Sequence, residues 1–215
     1  MFEIVKAGGW VMIPIIACSV VAAAIILERL WTLQRKRVVP AELPAKVWGW
    51  VEKKQLDDRH IRALHESSPL GQVLAAGLAK RHRPRTVIKE SIEDTGRHVV
   101  HELERFLGTL GTIAAISPLL GLLGTVTGMI QAFEAISSEG VGDPRVLSGG
   151  IGTALITTAA GLVVAIPSLF AYRYLRGVVD LLVIDMEKEA MKLVRAFDQM
   201  SRRTDRGSRR REAAS

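Results

Sequence analysis

Charged and apolar residues separate sharply along this 215-residue chain. Three windows, Ala7 to Leu27, Phe106 to Phe133 and Val146 to Tyr172, contain no Asp, Glu, Lys or Arg. Each reaches the roughly 20 apolar residues that a helix rising about 1.5 Å per residue needs to cross a hydrocarbon core about 30 Å thick. The pattern predicts an all-α membrane protein with transmembrane helices over 10–28, 106–133 and 149–172. The first window has one feature of a cleaved secretory signal, since Lys6 precedes an apolar run containing "AAA" at Ala22 to Ala24. Against that, the run continues through Ile25, Ile26 and Leu27 with no polar stretch before the cut. Arg29, Arg35, Lys36 and Arg37 follow directly, as expected of a retained helix that stops there.

Between the windows the periodicity changes. From Pro40 to Pro84 the chain is polar and reads as short helices interrupted at Pro44 and at "SSP", Ser67 to Pro69. About 45 residues do not make an independent core, so this part is expected to pack on the helical stems. Those stems show in the spacing: Ile88, Ile92, Val99, Leu103, Phe106 and Leu110 form one helical stripe running into the second window. Leu175, Val179, Leu182, Met186, Leu193 and Phe197 repeat it after the third. Helices two and three are therefore predicted to extend beyond the membrane. The link "GVGDP", Gly140 to Pro144, is rich in turn formers and short enough to make them antiparallel neighbours.

Charge sets the expected orientation. The segment Glu28 to Arg105 has 16 basic against 11 acidic residues, and the tail from Arg173 has 11 against 7. The link Glu134 to Arg145 has one arginine against Glu134, Glu139 and Asp143. Basic residues near helix ends stay on the cytoplasmic side. The division expected is an outward-facing N-terminus (1–9), a cytoplasmic loop and helical stem (29–105), an outward-facing loop (134–148), a cytoplasmic helix (173–200) and a disordered basic tail (201–215). The chain carries a net charge of +7, and the most suggestive basic stretch is "RRTDRGSRRR" from Arg202 to Arg211 in that tail. No zinc spacing, aromatic RNA-binding signature or helix-turn-helix accompanies it, so anionic lipid is the expected neighbour and not nucleic acid. The single cysteine, Cys18, lies in the first window and excludes an intramolecular disulfide.

The chemistry resides in the second and third windows. Leucine gains little by leaving lipid for a neighbouring helix, so adhesion needs close approach over small residues and polar contacts. Ser117, Gly121, Gly124 and Gly128 form small steps on helix two. Ala154, Thr158, Gly161, Ala165 and Ser168 do the same on helix three. Thr125, Thr127, Thr153, Thr157 and Thr158 add hydroxyls that either bond to the preceding turn or line a polar path. Pro118 and Pro167 are expected to kink their helices and free a carbonyl. No window contains an ionisable carrier, so any proton movement requires an acid from a partner. "HVVHE" places His98, His101 and Glu102 on adjacent turns, but it is not HExxH and lies on a charged face; no metal, cofactor or catalytic residue is expected.

The segments "LGTIAAISPLLGLLGTVTGMIQAF" (Leu110 to Phe133) and "GGIGTALITTAAGLVVAIPSLFAY" (Gly149 to Tyr172) resemble the core of the MotA/TolQ/ExbB proton-channel family. "SPLGQVLAAGL" (Ser68 to Leu78) resembles part of that family's cytoplasmic loop, and three helices with a large first loop match its ExbB and TolQ branch. The resemblance implies a homopentamer in the bacterial inner membrane around a central pore. In the pore would stand the single helices of an ExbD-like or TolR-like partner, whose aspartate carries protons, driving a transducer of the TonB or TolA type. It also implies that Thr125 and Thr158 face the pore. Better-studied members carry glutamate in "GIAEAL" where this chain reads "GIGTAL", which puts Thr153 at that position.

Overall fold

A computed structural model describes residues 8–52, 57–139 and 144–212. All regular elements among them are helices: α1 Met12–Thr32, α2 Arg35–Val38, α3 Glu42–Glu52, α4 Asp58–Ser67, α5 Pro69–Ala79, α6 Arg85–Leu103, α7 Leu107–Glu139 and α8 Pro144–Glu212. Three stretches, Met12–Thr32, Arg85–Glu134 and Ser148–Phe197, each contain a segment long and apolar enough to cross a bilayer. Helix α7 continues to Glu139 and α8 resumes at Pro144, so helix covers much of the expected loop 134–148. The turn-forming residues 140–143 lie outside the described residues. Helical backbone also continues to Glu212, through the arginine-rich stretch whose composition predicts disorder.

The chain divides into two compact units, one made of 1–30 and 106–176 and the other of 31–105 and 177–215. In the first, Val11, Met12 and Ile15 of α1 and the turn before it are buried against Leu120 of α7 and Ala160 and Val164 of α8. At the other end of α1, Arg29 is 4% exposed. Its Nε and a terminal guanidinium nitrogen donate to the two carboxylate oxygens of Glu28, at 2.5 and 3.0 Å, and its guanidinium lies 5.5 Å from the centre of the Phe106 ring. A charge buried this deeply is tolerated because it is paired and hydrogen-bonded.

In the second unit, α5 forms the centre. Leu70 and Leu78 are fully buried, and a Cβ on Gly77 would stand 2.8 Å from Ile92 of α6 and 3.4 Å from Leu193 of α8. The "SSP" break works as predicted. Ser68 is the N-cap of α5, its hydroxyl accepting from the Gly71 amide at 3.1 Å, and Pro69 fills the first turn, where no amide hydrogen is needed. Pro44 does not interrupt a helix; it lies in the first turn of α3, the position at which a helix accepts proline. The apolar stripe is also not one continuous helix. Residues Glu104 to Phe106 form a turn between α6 and α7, with Phe106 at φ +64°, a left-handed conformation uncommon outside glycine.

Candidate functional site

Helices α7 and α8 meet along a seam in which small residues of each face the main chain of the other. A Cβ on Gly161 would lie 2.5 Å from the Ser117 carbonyl oxygen, and one on Gly121 would lie 3.0 Å from Thr158 Cα. A Cβ on Gly124 would overlap the Thr157 side chain, and one on Gly128 would be 2.7 Å from the Gly150 carbonyl oxygen. Residue numbers rise along α7 as they fall along α8, which makes the pair antiparallel. A real Cβ does not fit at Gly124, Gly128 or Gly161, and at Gly121 it would be tighter than ordinary contact, so glycine here is a condition of the packing and not a relic of composition. The backbones approach closely enough for dispersion and polar contacts to hold the pair, as lipid-embedded helices require. Pro118 and Pro167 lie within these two helices, each unable to donate to the carbonyl four residues earlier, that of Ala114 or Val163.

The hydroxyls are held by main-chain carbonyls. Thr158 reaches across the seam, its Oγ1 donating to the Gly121 carbonyl at 3.2 Å. Thr125 donates to the Leu122 carbonyl at 2.6 Å. The two threonines that the resemblance singles out therefore donate to consecutive carbonyls of one turn of α7. Both are half-buried. Thr153 donates to Gly149 at 3.1 Å and is also half-buried. Ser117 is fully buried and donates to Ile113 at 2.8 Å.

Sequence reasoning missed the part played by Thr157. It is fully buried and shares its hydroxyl between the Thr153 and Ala154 carbonyls, both at 3.0 Å, while its side chain fills the space left by Gly124. The signal was there, because Thr157 lies seven residues after Gly150 and four before Gly161 and so shares their face. The adjacent Thr158 sits at the edge of that face. The turn before α1 closes the same region from another side: a Cβ on Gly8 would be 3.3 Å from Thr157 Cγ2. His98 and His101 are exposed on α6, and among the described residues no cluster of His, Cys, Asp and Glu could hold a metal ion.

Three membrane-length apolar helices, two of them joined by a tight glycine seam, define an α-helical membrane protein. Residues 65–188 match the MotA/TolQ/ExbB proton channel family. The chain is 37% identical over 176 residues to the putative biopolymer transport protein ExbB-like 1 of Synechocystis, covering 78% of this chain and 67% of that one. It is 29% identical to a putative biopolymer transport protein ExbB homolog of Methanothermobacter thermautotrophicus, over 84% of this chain and 64% of that one. To the Tol-Pal system protein TolQ of Haemophilus influenzae it is 27% identical, over 77% of each chain. The chain belongs to the MotA/TolQ/ExbB family, a family of channel and transport proteins and not of enzymes.

Proposed function

We propose that this chain is the channel-forming subunit of a proton-motive-force-driven motor in the bacterial inner membrane, working with an ExbD-like single-pass partner to energise a TonB-type transducer for outer-membrane uptake. Five copies surround a central pore, the N-terminus lies in the periplasm and the C-terminus in the cytoplasm. The observation that carries this reading is the pair Thr125 and Thr158 on consecutive α7 carbonyls, in a membrane seam with no ionisable residue of its own.

A threonine hydroxyl that donates to a carbonyl keeps its lone pairs free to accept. Thr125 and Thr158 thus offer acceptors to a protonated aspartic acid of the partner, and turn their O–H groups toward it once the proton leaves. The carboxyl is received at membrane depth in both states without a fixed countercharge. Thr153 adds a third hydroxyl where better-studied relatives carry glutamate. Each proton crossing supplies about 2.3 kcal/mol per 100 mV.

The test is Thr158→Val, which alters shape little and removes the hydroxyl. Expected is loss of partner-dependent proton flux and transport with the complex still assembled; normal transport contradicts the reading. Two other readings rest on specific observations. The likeness to TolQ supports service in envelope maintenance, which a deletion phenotype of envelope leakage without an uptake defect identifies. The bonding of each of these hydroxyls to main chain supports a passive scaffold, and that predicts tolerance of valine at both Thr125 and Thr158.

A further inference from the structure

One face of α1 is apolar and open along its whole length. Ile13, Val20, Leu27 and Trp31 follow one another at helical spacing and are between 62% and 70% exposed. A second tryptophan, Trp10, stands 60% exposed in the turn before the helix. The helix between the two rises roughly 30 Å, the thickness of a hydrocarbon core. Tryptophan settles where hydrocarbon gives way to headgroups, because its ring is apolar and its N–H needs a polar neighbour. Trp31 therefore marks the headgroup level at the C-terminal end of α1.

Beyond Trp31 the chain turns into α2 and is pinned there. Leu33 and Val38 are buried, and Arg35 is paired with Asp185 of α8 at 2.7 Å. This brings Arg37 back over Trp31, its guanidinium carbon 4.1 Å from the ring centroid. A guanidinium stacked on a ring is held in one plane and keeps its N–H donors along its edge, the arrangement that suits phosphate oxygens. Lys36 is exposed beside it. The neighbouring arginines are already engaged by carboxylates, Arg29 by Glu28 and Arg35 by Asp185. Among the described residues, Lys36 and Arg37 are paired with none. Two uncompensated cations, one of them oriented by an aromatic ring, thus stand where lipid phosphates lie.

We infer that Trp31, Lys36 and Arg37 form a binding site for the headgroup of an anionic phospholipid, whose acyl chains lie along the exposed Leu27 and Leu30. A zwitterionic lipid offers the same phosphate with its own cation beside it, which competes with Arg37 and Lys36; an anionic lipid has no such competitor. The site requires neither a pore nor a partner. It is tested by titrating the full-length protein in detergent with phosphatidylglycerol or phosphatidylcholine and counting bound lipid by native mass spectrometry. Expected is tighter retention of phosphatidylglycerol, weakened about tenfold by Arg37→Gln and less by Lys36→Gln. Trp31→Leu leaves the charge unchanged and should also weaken retention, while Trp31→Tyr should restore most of it, because a ring face returns under the guanidinium. Arg62→Gln removes the same charge from an exposed position on α4 and should change nothing. Equal retention of the two lipids, no effect of Arg37→Gln, or an equal effect of Arg62→Gln overturns the assignment, the last because it reduces the binding to diffuse charge attraction.

Discussion

The seam between α7 and α8 is decided by single atoms. Gly124 and Thr157 occupy one volume between them, because the Cβ that alanine would add at 124 coincides with the threonine side chain. Gly124→Ala is therefore expected to destabilise the hairpin by about 1–3 kcal/mol, the usual range for overpacking. Thr157→Gly in the same chain should return most of that loss, since it vacates the overlapping volume. Unfolding in detergent, followed for both single variants and the double, measures the coupling; additive losses would contradict the contact. That Gly124 needed a close neighbour was legible in the sequence, from small residues at helical spacing within an otherwise bulky run. Which of the adjacent Thr157 and Thr158 filled the space was not, because they differ by only about 100° in direction and the choice depends on how two helices rotate against each other. The two residues thus have different tasks: Thr157 packs, and the half-buried Thr158 of α8 donates its hydroxyl to an α7 carbonyl.

Elements were legible where one local signal sufficed. The charge-free windows locate the apolar helices because burial in lipid excludes ions along an entire segment, whatever the tertiary structure. Ser68-Pro69 locates the start of α5 because the capping group and the first-turn proline are adjacent in sequence. Ser68→Ala leaves the buried Gly71 amide without its side-chain acceptor and is expected to cost about 1 kcal/mol. A lowered thermal midpoint for Ser68→Ala, recovered by Ser68→Asp or Ser68→Thr, checks it; an unchanged midpoint contradicts the cap. The turn at Glu104 to Phe106 escaped notice because the apolar spacing of Ile88, Ile92, Val99 and Leu103 continues on through Phe106 and Leu110 as though the helix were unbroken. The left-handed Phe106 has its ring under Arg29, more than seventy residues earlier in the chain, and a non-local contact of that kind leaves no mark in local periodicity.

Across the whole molecule, the charge-free windows lack any Asp, Glu, Lys or Arg. They hold glycine-tight helices and hydroxyls but no acid, so the proposed motor needs one from a partner. The exposed apolar side chains of its membrane unit, Leu119, Leu122 and Val126 on α7 and Leu155 and Val163 on α8 among them, face either lipid or other chains. In the proposed motor some of them line contacts between subunits and around the partner's helices. Native mass spectrometry of the purified membrane complex, with and without a co-expressed ExbD-like partner, tests this most directly. The account predicts five copies retaining two partner chains. A monomer or dimer that retains no partner would contradict it and remove the basis for a pore at Thr125 and Thr158.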